Sequence, residues 1–447
     1  MRKVLLNYSL SMKPVFKLTA LSYTSLIMFC YGALLVGNAL GAYNIGFIPI
    51  QWLVQLGLIS IIIHIGFTRK LYTVEGTNAL LWLFFWTIFV TTVNVIFGDY
   101  PSLMSPNSTI PYTFFIYLRI LVLLSFISAI YIIYWLLVRG YQDSVIIWTV
   151  RIGTFVSIVA IYIYIAQIYG LPEPPRNRLG TGGGEQSVIF SYAFHRAMGT
   201  FREPSHLAEW LVVPFFLSLR KGLLNLHTVL IGLALFLTGS LTGIIGSALG
   251  FAGAIIISNP FKRSSLKILL RLTIAILIAL VFFNAIAVSY GAGQTNLFQV
   301  ISERMAPILF GGGMKVSDRD YIYQYLATTS LPLLGSGIGN ANLLLSQYLE
   351  SGLVTSFLSL YFNFMYSAGI LGTILLTYFL LRPIVKILII KKIRRNKQIL
   401  FILAAYLSYL VMFAVNSEEF SMMFAVAFAL LAYEIHSHES VGEARRK

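Results

Sequence analysis

The most concentrated set of reactive side chains in this chain lies in residues 195–208. Two arginines, a glutamate and two histidines fall within twelve residues there, between two strongly apolar stretches. Only 11% of the 447 residues are charged, so solubility in lipid does not account for such a density. A guanidinium can donate two parallel hydrogen bonds to phosphate oxygens, and a carboxylate or imidazole can accept a proton. The segment is therefore the first candidate for a reactive site.

Arginines are the candidates for binding a diphosphate. Arg196, Arg202 and Arg319 each sit among aromatic or apolar residues beside a predicted helix start. Arg119 is a fourth candidate because it lies within an apolar run, and an ionisable residue inside a membrane indicates a functional role by default. Arg151 lies in another apolar run near the opposite membrane face, so we interpret it as structural or as reaching toward the membrane surface.

Glu203 is the candidate catalytic base, and two interpretations of it stay open. Pro204 follows it, and proline is favoured at the first position of a helix, where negative charge is also stabilised. Glu203 therefore either caps a helix or is held between Arg196 and Arg202, where it could accept a proton from a sugar hydroxyl. Supporting roles at the same site are assigned to His195, His206, Arg304, Asp318 and Asp320.

The rest of the chain is predicted to cross a membrane repeatedly. The hydrophobic fraction is 58%, the mean hydropathy is +0.81, and long apolar runs recur along the whole length. A run of about twenty apolar residues can cross a hydrocarbon core of about 30 Å, and backbone groups in lipid must be satisfied within each segment. We expect an all-α polytopic membrane protein with about twelve helices, forming one domain over residues 1–447. The predicted spans are 18–37, 47–67, 78–97, 112–138, 144–169, 206–219, 224–238, 241–258, 268–290, 352–381, 398–415 and 420–433.

The distribution of basic residues predicts the orientation. With the N-terminus inside, 23 of the 32 Lys and Arg residues lie in or beside cytoplasmic segments, and the three short outer loops hold none. Both termini are therefore predicted to be cytoplasmic. The net charge of +16 follows from this topology, so nucleic acid is not a predicted partner.

Two long outer loops organise the chain. The first, residues 170–205, opens with Leu-Pro-Glu-Pro-Pro and becomes amphipathic over 188–201. The second, residues 291–351, contains a predicted short helix at 320–327 and a Gly-rich stretch at 334–340. Three further cations in these loops are interpreted as solubilising exposed chain: Arg176, Arg178 and Lys315.

Several protein classes are disfavoured by what the sequence lacks. There is no Gly-rich Walker loop, so ATP is not expected to drive the protein. Neither a His/Cys metal spacing nor a His-Glu-x-x-His motif occurs, which disfavours a metalloprotease. The single cysteine, Cys30, cannot form an internal disulfide. We predict no cofactor and no metal site.

Three motifs, in this order, resemble the O-antigen polymerase and ligase superfamily of bacterial envelope proteins. Residues 196–208 read Arg-x-x-Gly-Thr-Phe-x-Glu-Pro-Ser-x-Leu-Ala, which is similar to the Arg…Gly…Phe…Glu-Pro motif of Wzy-type polysaccharide polymerases. Leu237-Thr-Gly-Ser-Leu-Thr-Gly resembles the Ser-Arg start of a family span, except that Leu241 replaces the arginine. Arg319-Asp-Tyr-Ile-Tyr, followed by Leu331-Pro-Leu-Leu-Gly-Ser-Gly-Ile-Gly, resembles the family's second-loop pattern.

The resemblance implies a GT-C-like glycosyltransferase of the bacterial cytoplasmic membrane whose active face is extracytoplasmic. Its substrates would be undecaprenyl-diphosphate-linked oligosaccharides, and a hydroxyl of one lipid-linked repeat would attack the anomeric carbon of the growing chain. Arg196, Arg202 and Arg319, with Arg119, would then stabilise the departing diphosphate, and Glu203 would act as the base. Membrane lipids, a chain-length regulator and a flippase of the same pathway are the implied partners.

Two alternatives stay open beside a polymerase. The ligase branch resembles His-[Asn/Ser/Gln]-x9-Gly-x-x-Gly, and here Leu358 stands at the histidine position before Gly369-Ile-Leu-Gly. A non-enzymatic transporter or flippase would carry charges along a path through many spans. Only Arg119 and Arg151 clearly lie within predicted spans, so chemistry at one face is favoured over transport.

Overall fold

The computed structural model describes residues 14–104, 110–178, 196–258, 320–350, 355–390, 396–415 and 421–444. Within these ranges the chain is almost wholly helical. The first five helices are α1 (Pro14–Asn38), α2 (Ile50–Thr68), α3 (Thr77–Phe97), α4 (Tyr112–Val138) and α5 (Gln142–Tyr169). After the first long loop come α6 (Pro204–Ser218), α7 (Leu226–Leu237) and α8 (Leu241–Ser258). The later helices are α9 (Asp320–Thr328), α10 (Asn340–Tyr348), α11 (Leu360–Ile389), α12 (Lys397–Met412) and α13 (Met422–Ala444).

Two short strands and two turns of 3-10 helix lie between the helices in the described ranges. Strands β1 (Asn44–Ile45) and β2 (Ile48–Pro49) pair antiparallel between α1 and α2. Single turns of 3-10 helix occur at Tyr100–Leu103, before α4, and at Leu219–Lys221, directly after α6. These turns form part of the connections between neighbouring helices.

Within the described ranges, six helices are long and apolar enough to cross a membrane by length and composition, namely α2, α3, α4, α5, α8 and α11. Shorter apolar helices lie at Tyr23–Asn38, Leu226–Leu237 and Ile399–Met412. These elements agree with the all-α, multi-pass membrane fold that the sequence predicts. The predicted span 268–290 lies outside the described residues, so the count of twelve crossings stays a prediction.

The predicted span 352–381 is wrong at both ends. The helix begins only at Leu360, because Ser359 Oγ and the Leu360 amide both donate to the carbonyl of Phe413, at 3.3 and 2.9 Å, and hold the preceding residues extended. It continues to Ile389, past an internal proline at Pro383. Lys386, the first residue of the basic stretch 386–397, therefore lies within the helix.

Helix α4 forms the centre of the bundle. In its most apolar window 72% of the residues are buried, against 17% for α2, so α4 faces protein and α2 faces lipid. Its Phe126 stacks on Phe424 of α13, with ring centroids 5.7 Å apart. Helices α8 and α12 approach so closely that a Cβ on Gly250 would lie 2.2 Å from Ser408 Oγ, as is typical of small residues between membrane helices.

Candidate functional site

The Gly-Thr-Phe loop that precedes α6 is bonded to the connection between α1 and α2. Thr200 Oγ1 donates to the carbonyl of Ala39 at 2.6 Å, and the Thr200 carbonyl accepts from the Ala42 amide at 3.0 Å. Phe201 packs on Trp210, whose Nε1 donates to Asn38 Oδ1 at 3.0 Å. These contacts are buried or half-buried, so residues 196–201 form a fixed part of the protein rather than an exposed loop.

The depth of this loop follows from its contact with α5. Gly199 has φ +52°, and a Cβ there would lie 2.8 Å from the Cβ of Ala160, so a side chain is excluded on both counts. Ala160 is nine residues before Tyr169, the last residue of α5, which is about 14 Å at helical rise. The 28 residues of α5 span about 42 Å, longer than a hydrocarbon core of about 30 Å. The loop therefore lies about 14 Å below the C-terminal end of α5, measured along that helix.

Arg176 and Arg178 bind this loop to its surroundings. Arg176 Nη2 donates to the carbonyl of Gly199 at 2.8 Å, and its Nη1 lies 3.1 Å from the sulfur of Met198. Arg178 Nη1 donates to the carbonyl of Gly41 at 2.8 Å and to Gln51 Oε1 at 2.7 Å. The interpretation of these two arginines as solubilising residues is wrong, because both are half-buried and bonded to backbone carbonyls.

Burial also affects the charge state of Arg176. Desolvation lowers the pKa of its guanidinium, and the nearby Glu173 and Tyr43 partly offset that effect. Burial likewise raises the pKa of the Tyr43 hydroxyl, and Arg176 opposes that rise. Tyr43 stays neutral and Arg176 stays charged at neutral pH, so the loop keeps a positive charge beneath it.

Arg196 connects the same loop to the α7–α8 turn. Its Nε donates to the carbonyl of Thr238 at 2.8 Å, and the Ala197 amide donates to the carbonyl of Leu237 at 2.8 Å. These carbonyls lie at the C-terminal end of α7, where a positive charge is favoured by the helix dipole. Gly239, with φ +55°, makes the turn over the Arg196 side chain. Arg196 is therefore half-buried and oriented by backbone.

Glu203 occupies the N-cap position of α6, with Pro204 as the first helical residue. Its carboxylate makes no capping hydrogen bond; it accepts from Ser205 Oγ at 3.1 Å and lies 3.9 Å from His206 Nε2. Among the described residues Glu203 forms no ion pair with Arg196 or Arg202, so it is not held between them. The Glu203 side chain is 65% exposed and Arg202 is also exposed, so both are accessible at the protein surface.

The start of α6 packs against the start of α8. A Cβ on Gly243 would lie 2.7 Å from the Cβ of Ala208, so the two helices are in backbone contact there. Ser240 Oγ accepts from the Gly243 amide at 3.3 Å and caps α8. Leu241, which stands where the family pattern has an arginine, is the first residue of α8, and it contributes no charge.

The C-terminal end of α12 lies between α6 and α11. Tyr409 Oη donates to the carbonyl of Glu209 at 2.8 Å, while Phe413 receives the bonds from Ser359 and Leu360 described above. Glu209 itself is 3% exposed, one and a half turns into α6. The elements that carry the two sequence motifs are therefore joined through one helix.

The second motif belongs to a folded unit of α9, α10 and the start of α11, which we call the platform. The short helix predicted at 320–327 is confirmed by α9. Tyr325 of α9 contacts the rings of Phe357 and Tyr366, with centroid distances of 5.9 and 5.4 Å. Helix α10, which the sequence did not predict, covers this aromatic cluster with Leu345. The described part of the predicted second loop therefore contains two helices, α9 and α10, that pack on one aromatic cluster.

The Gly-rich stretch of the second motif inserts where α11 is broken. Gly369 has φ 66° and ψ −162°, which interrupts the helix. The amides of Ser336 and Gly337 donate to the carbonyls of Tyr366 and Ser367, each at 2.9 Å. A Cβ on Gly335 would lie 2.6 Å from the amide nitrogen of Gly369, so the two backbones touch. Glycine is needed in this pattern because the two backbones approach too closely to leave room for a side chain.

Arg119 lies on α4 beside this platform. Its guanidinium carbon is 5.4 Å from the ring centroid of Phe115, and a Cβ on Gly339 would lie 2.8 Å from that same ring. The neighbouring Phe114 contacts Trp52, which follows the Gln51 that binds Arg178. Arg119 therefore occupies the same end of the bundle as the Gly-Thr-Phe loop.

Four of the predicted site residues lie outside the described residues, namely His195, Arg304, Asp318 and Arg319. Asp320 is the first residue of α9, so Arg319 directly precedes a fixed helix. Within the described ranges no group of three or more His, Cys, Asp or Glu side chains is arranged to hold a metal ion.

No protein-family model matches the chain, and no curated protein is significantly similar to it in sequence.

Proposed function

We propose that the protein polymerises undecaprenyl-diphosphate-linked oligosaccharide repeat units into a surface polysaccharide at the outer face of the bacterial cytoplasmic membrane. The product would be an O-antigen, a capsule or an exopolysaccharide, and undecaprenyl diphosphate would be released. The enzyme would be a metal-independent glycosyltransferase without a cofactor. A chain-length regulator and a flippase would act beside it.

The depth of the Gly-Thr-Phe loop is the observation that supports this proposal most. Four arginines (Arg176, Arg178, Arg196, Arg202) lie on or beside that loop, against two glutamates, Glu173 and Glu203. Contact with Ala160 fixes the loop about 14 Å from the C-terminal end of α5, where we expect the hydrocarbon edge to lie because α5 is longer than the hydrocarbon core. A diphosphate attached to a polyprenyl chain is held at the same depth, because its lipid lies in the hydrocarbon and its charge does not.

The proposed roles of these residues account for the bond formed, the bond broken and the proton released in the transfer reaction. A hydroxyl oxygen of the incoming repeat bonds to the anomeric carbon of the growing chain, and the bond from that carbon to the diphosphate oxygen breaks. Glu203 accepts the hydroxyl proton, and its exposed carboxylate next to His206 can then release it to water. Arg196 and Arg202, with Arg119 and Arg319, stabilise the charge that develops on the diphosphate.

Replacement of Arg196 tests the proposal. We expect Arg196→Ala, Arg319→Ala or Glu203→Gln to leave single repeat units on the surface and to abolish the ladder of longer chains on a polysaccharide gel. Arg139→Ala is the matched control, because Arg139 stacks on Trp135 at the other end of α4, 4.5 Å from the ring centroid. A normal ladder from a well-expressed Arg196→Ala strain would refute the site.

The same strains separate the two other classes. Loss of a ligase would cause long lipid-linked polymer to accumulate, whereas loss of a flippase would leave single units on the cytoplasmic side. Each of these results would replace the polymerase proposal by the class it identifies.

A further inference from the structure

An exposed tyrosine on the platform is held in one orientation by its neighbours. Tyr348, the last residue of α10, is 44% exposed. Its ring meets the buried ring of Tyr325 edge to face, with centroids 5.0 Å apart. Its hydroxyl oxygen lies 3.3 Å from Thr328 Oγ1, at the end of α9. The ring is therefore fixed by α9 while nearly half of the side chain stays accessible.

Contact with lipid does not account for this exposure. Helices α9 and α10 have nine residues each, about 14 Å, which is too short to cross a hydrocarbon core of about 30 Å. An exposed aromatic residue such as Phe85 lies instead on α3, which is long and apolar enough to cross a membrane. The exposed neighbours of Tyr348 along the two short helices include Gln324, Thr328 and Gln347. An aromatic ring among polar side chains is typical of a ligand site.

Glu350, two residues beyond Tyr348, has an unusual backbone conformation. Its φ is 50°, and among the described residues only Glu350 and Leu358 adopt a positive φ without being glycine. The Glu350 amide donates to the carbonyl of Gln347 at 3.0 Å and closes the turn. Helix α5 ends with Gly170 in the left-handed region, as is usual, because glycine adopts that conformation without strain. An exposed carboxylate where glycine is favoured indicates that the side chain has a role.

Helix α10 connects Tyr348 to the position of Arg119. Gly339 directly precedes this helix, and a Cβ there would lie 2.8 Å from the ring of Phe115. The guanidinium carbon of Arg119 is 5.4 Å from the centroid of that ring. Tyr348 is nine residues beyond Gly339, which is about 14 Å along α10. A repeat of several sugars whose diphosphate is held near Arg119 can therefore reach Tyr348.

We propose that Tyr348, Glu350 and Gln347 bind a pyranose ring of the oligosaccharide, away from the bond that reacts. The choice of a sugar as the ligand rests on the proposed function. The negative face of the Tyr348 ring attracts the C–H groups on one face of a pyranose. The Glu350 carboxylate accepts hydrogen bonds from sugar hydroxyls, and the Gln347 amide can both donate and accept. No covalent bond forms or breaks at this site.

Saturation-transfer NMR of the full-length protein in detergent tests this site. The probe is the repeat-unit oligosaccharide released from the surface polysaccharide of the strain that makes the protein. It lacks a diphosphate and cannot react, so the titration measures binding alone. We expect Tyr348→Ala to weaken binding about tenfold and Tyr348→Phe, which keeps the ring, to bind like wild type. Tyr117→Ala is the matched control, because Tyr117 is 64% exposed on the membrane helix α4, and it should leave binding unchanged.

Glu350→Gly keeps the test decisive if Tyr348→Ala does not fold. It removes the carboxylate and places glycine where φ is positive, so the melting temperature should stay the same or rise while binding weakens about fivefold. Absence of binding by wild type, unchanged binding by Tyr348→Ala or Glu350→Gly, or an equal loss in Tyr117→Ala would each overturn the proposal. A normal polysaccharide ladder from Arg196→Ala would instead refute the polymerase and leave these binding constants as they are, so the two failures are distinguishable.

Discussion

The hydroxyl of Thr200 donates to the carbonyl of Ala39 across 2.6 Å, although 160 residues separate the two in sequence. This bond satisfies a carbonyl just past the end of α1, and the returning bond from Ala42 completes the pair. The candidate site therefore depends on the first two helices, which carry none of the residues that the sequence motifs single out.

Replacement of Thr200 should show this dependence. Thr200→Val keeps the shape but leaves the carbonyl of Ala39 without its buried donor, so we expect a loss of about 1–3 kcal/mol of stability. Thr200→Ser keeps the hydroxyl and should retain most of it. The measurement is thermal unfolding in detergent, followed by fluorescence-detected gel filtration. Equal melting temperatures for the two variants would contradict this role.

Gly199→Ala should lower the stability of the protein by more than the strain of a positive φ alone explains. It adds a steric overlap with the Cβ of Ala160 to the cost of φ +52°. Gly46→Ala is the matched control, because Gly46 has φ +62° with nothing within 4 Å and should lose only about 1–2 kcal/mol. Adding Ala160→Gly should recover part of the loss in Gly199→Ala but not in Gly46→Ala. Thermal unfolding of all four variants checks this, and absence of a recovery would refute the contact.

Arg178 and Gln51 should be energetically coupled. Their charge-assisted hydrogen bond is 2.7 Å long and half-buried, so a double-mutant cycle of Arg178→Met and Gln51→Leu should give about 1–2 kcal/mol. Under the proposed function the single variants should also shorten the polysaccharide ladder, because the adjacent Gly-Thr-Phe loop loses support. Additive effects of the two substitutions would mean that the bond does not contribute.

Gly369→Ala should prevent correct folding of the platform formed by α9, α10 and α11. A Cβ there would lie 2.4 Å from the carbonyl of Leu333 and would require a φ of 66°. We expect loss of several kcal/mol, seen as poor yield of monodisperse protein. Gly140→Ala, with φ +85° and open space around it, should remain well folded. Similar yields for the two variants would argue against the tight crossing.

Stability at acid pH should depend on Glu75. Burial disfavours its ionised form, but hydrogen bonds and charge from Lys386 and a bond from Arg382 outweigh it and lower the pKa of this carboxyl. A depressed pKa contributes stability that is present above about pH 4.5 and is lost as the pH falls through the folded value. Glu75→Gln should lower the melting temperature at pH 7 and flatten its fall below pH 4.5. An unchanged acid slope would contradict this.

The helices were predictable because twenty-residue apolar runs admit few alternatives in lipid. The first residue of α6 and the short helix α9 also follow from local signals, namely Pro204 and the apolar spacing after Asp320. Helix α10 could not be predicted from local signals, because its buried Asn340 and Asn342 give it the polarity of a loop. Asn340 Oδ1 accepts from the Tyr112 hydroxyl and Asn342 Nδ2 donates to the carbonyl of Thr355, and only the fold brings these partners close.

The role of Arg176 and Arg178 could not be derived from the sequence for a related reason. Composition identifies an arginine in a polar loop as solvated, and only long-range contacts with Gly199 and Gly41 show otherwise. The rigid Pro-rich turn at 171–175, directly before them, was the one available signal that this stretch has a defined course. Arg196 and Glu203 were found because their motif is contiguous.

The overhang of α5 has a consequence for the proposed reaction. The Gly-Thr-Phe loop is fixed nine residues below the end of that helix, so under the proposed function distance from the membrane would select the bond that is made. The sugar next to the diphosphate would be presented at the same height, whatever length of polymer extended beyond it. A reaction centre at a fixed height above the membrane would not need to recognise the distant end of its product. The tenth addition and the hundredth would then be chemically alike.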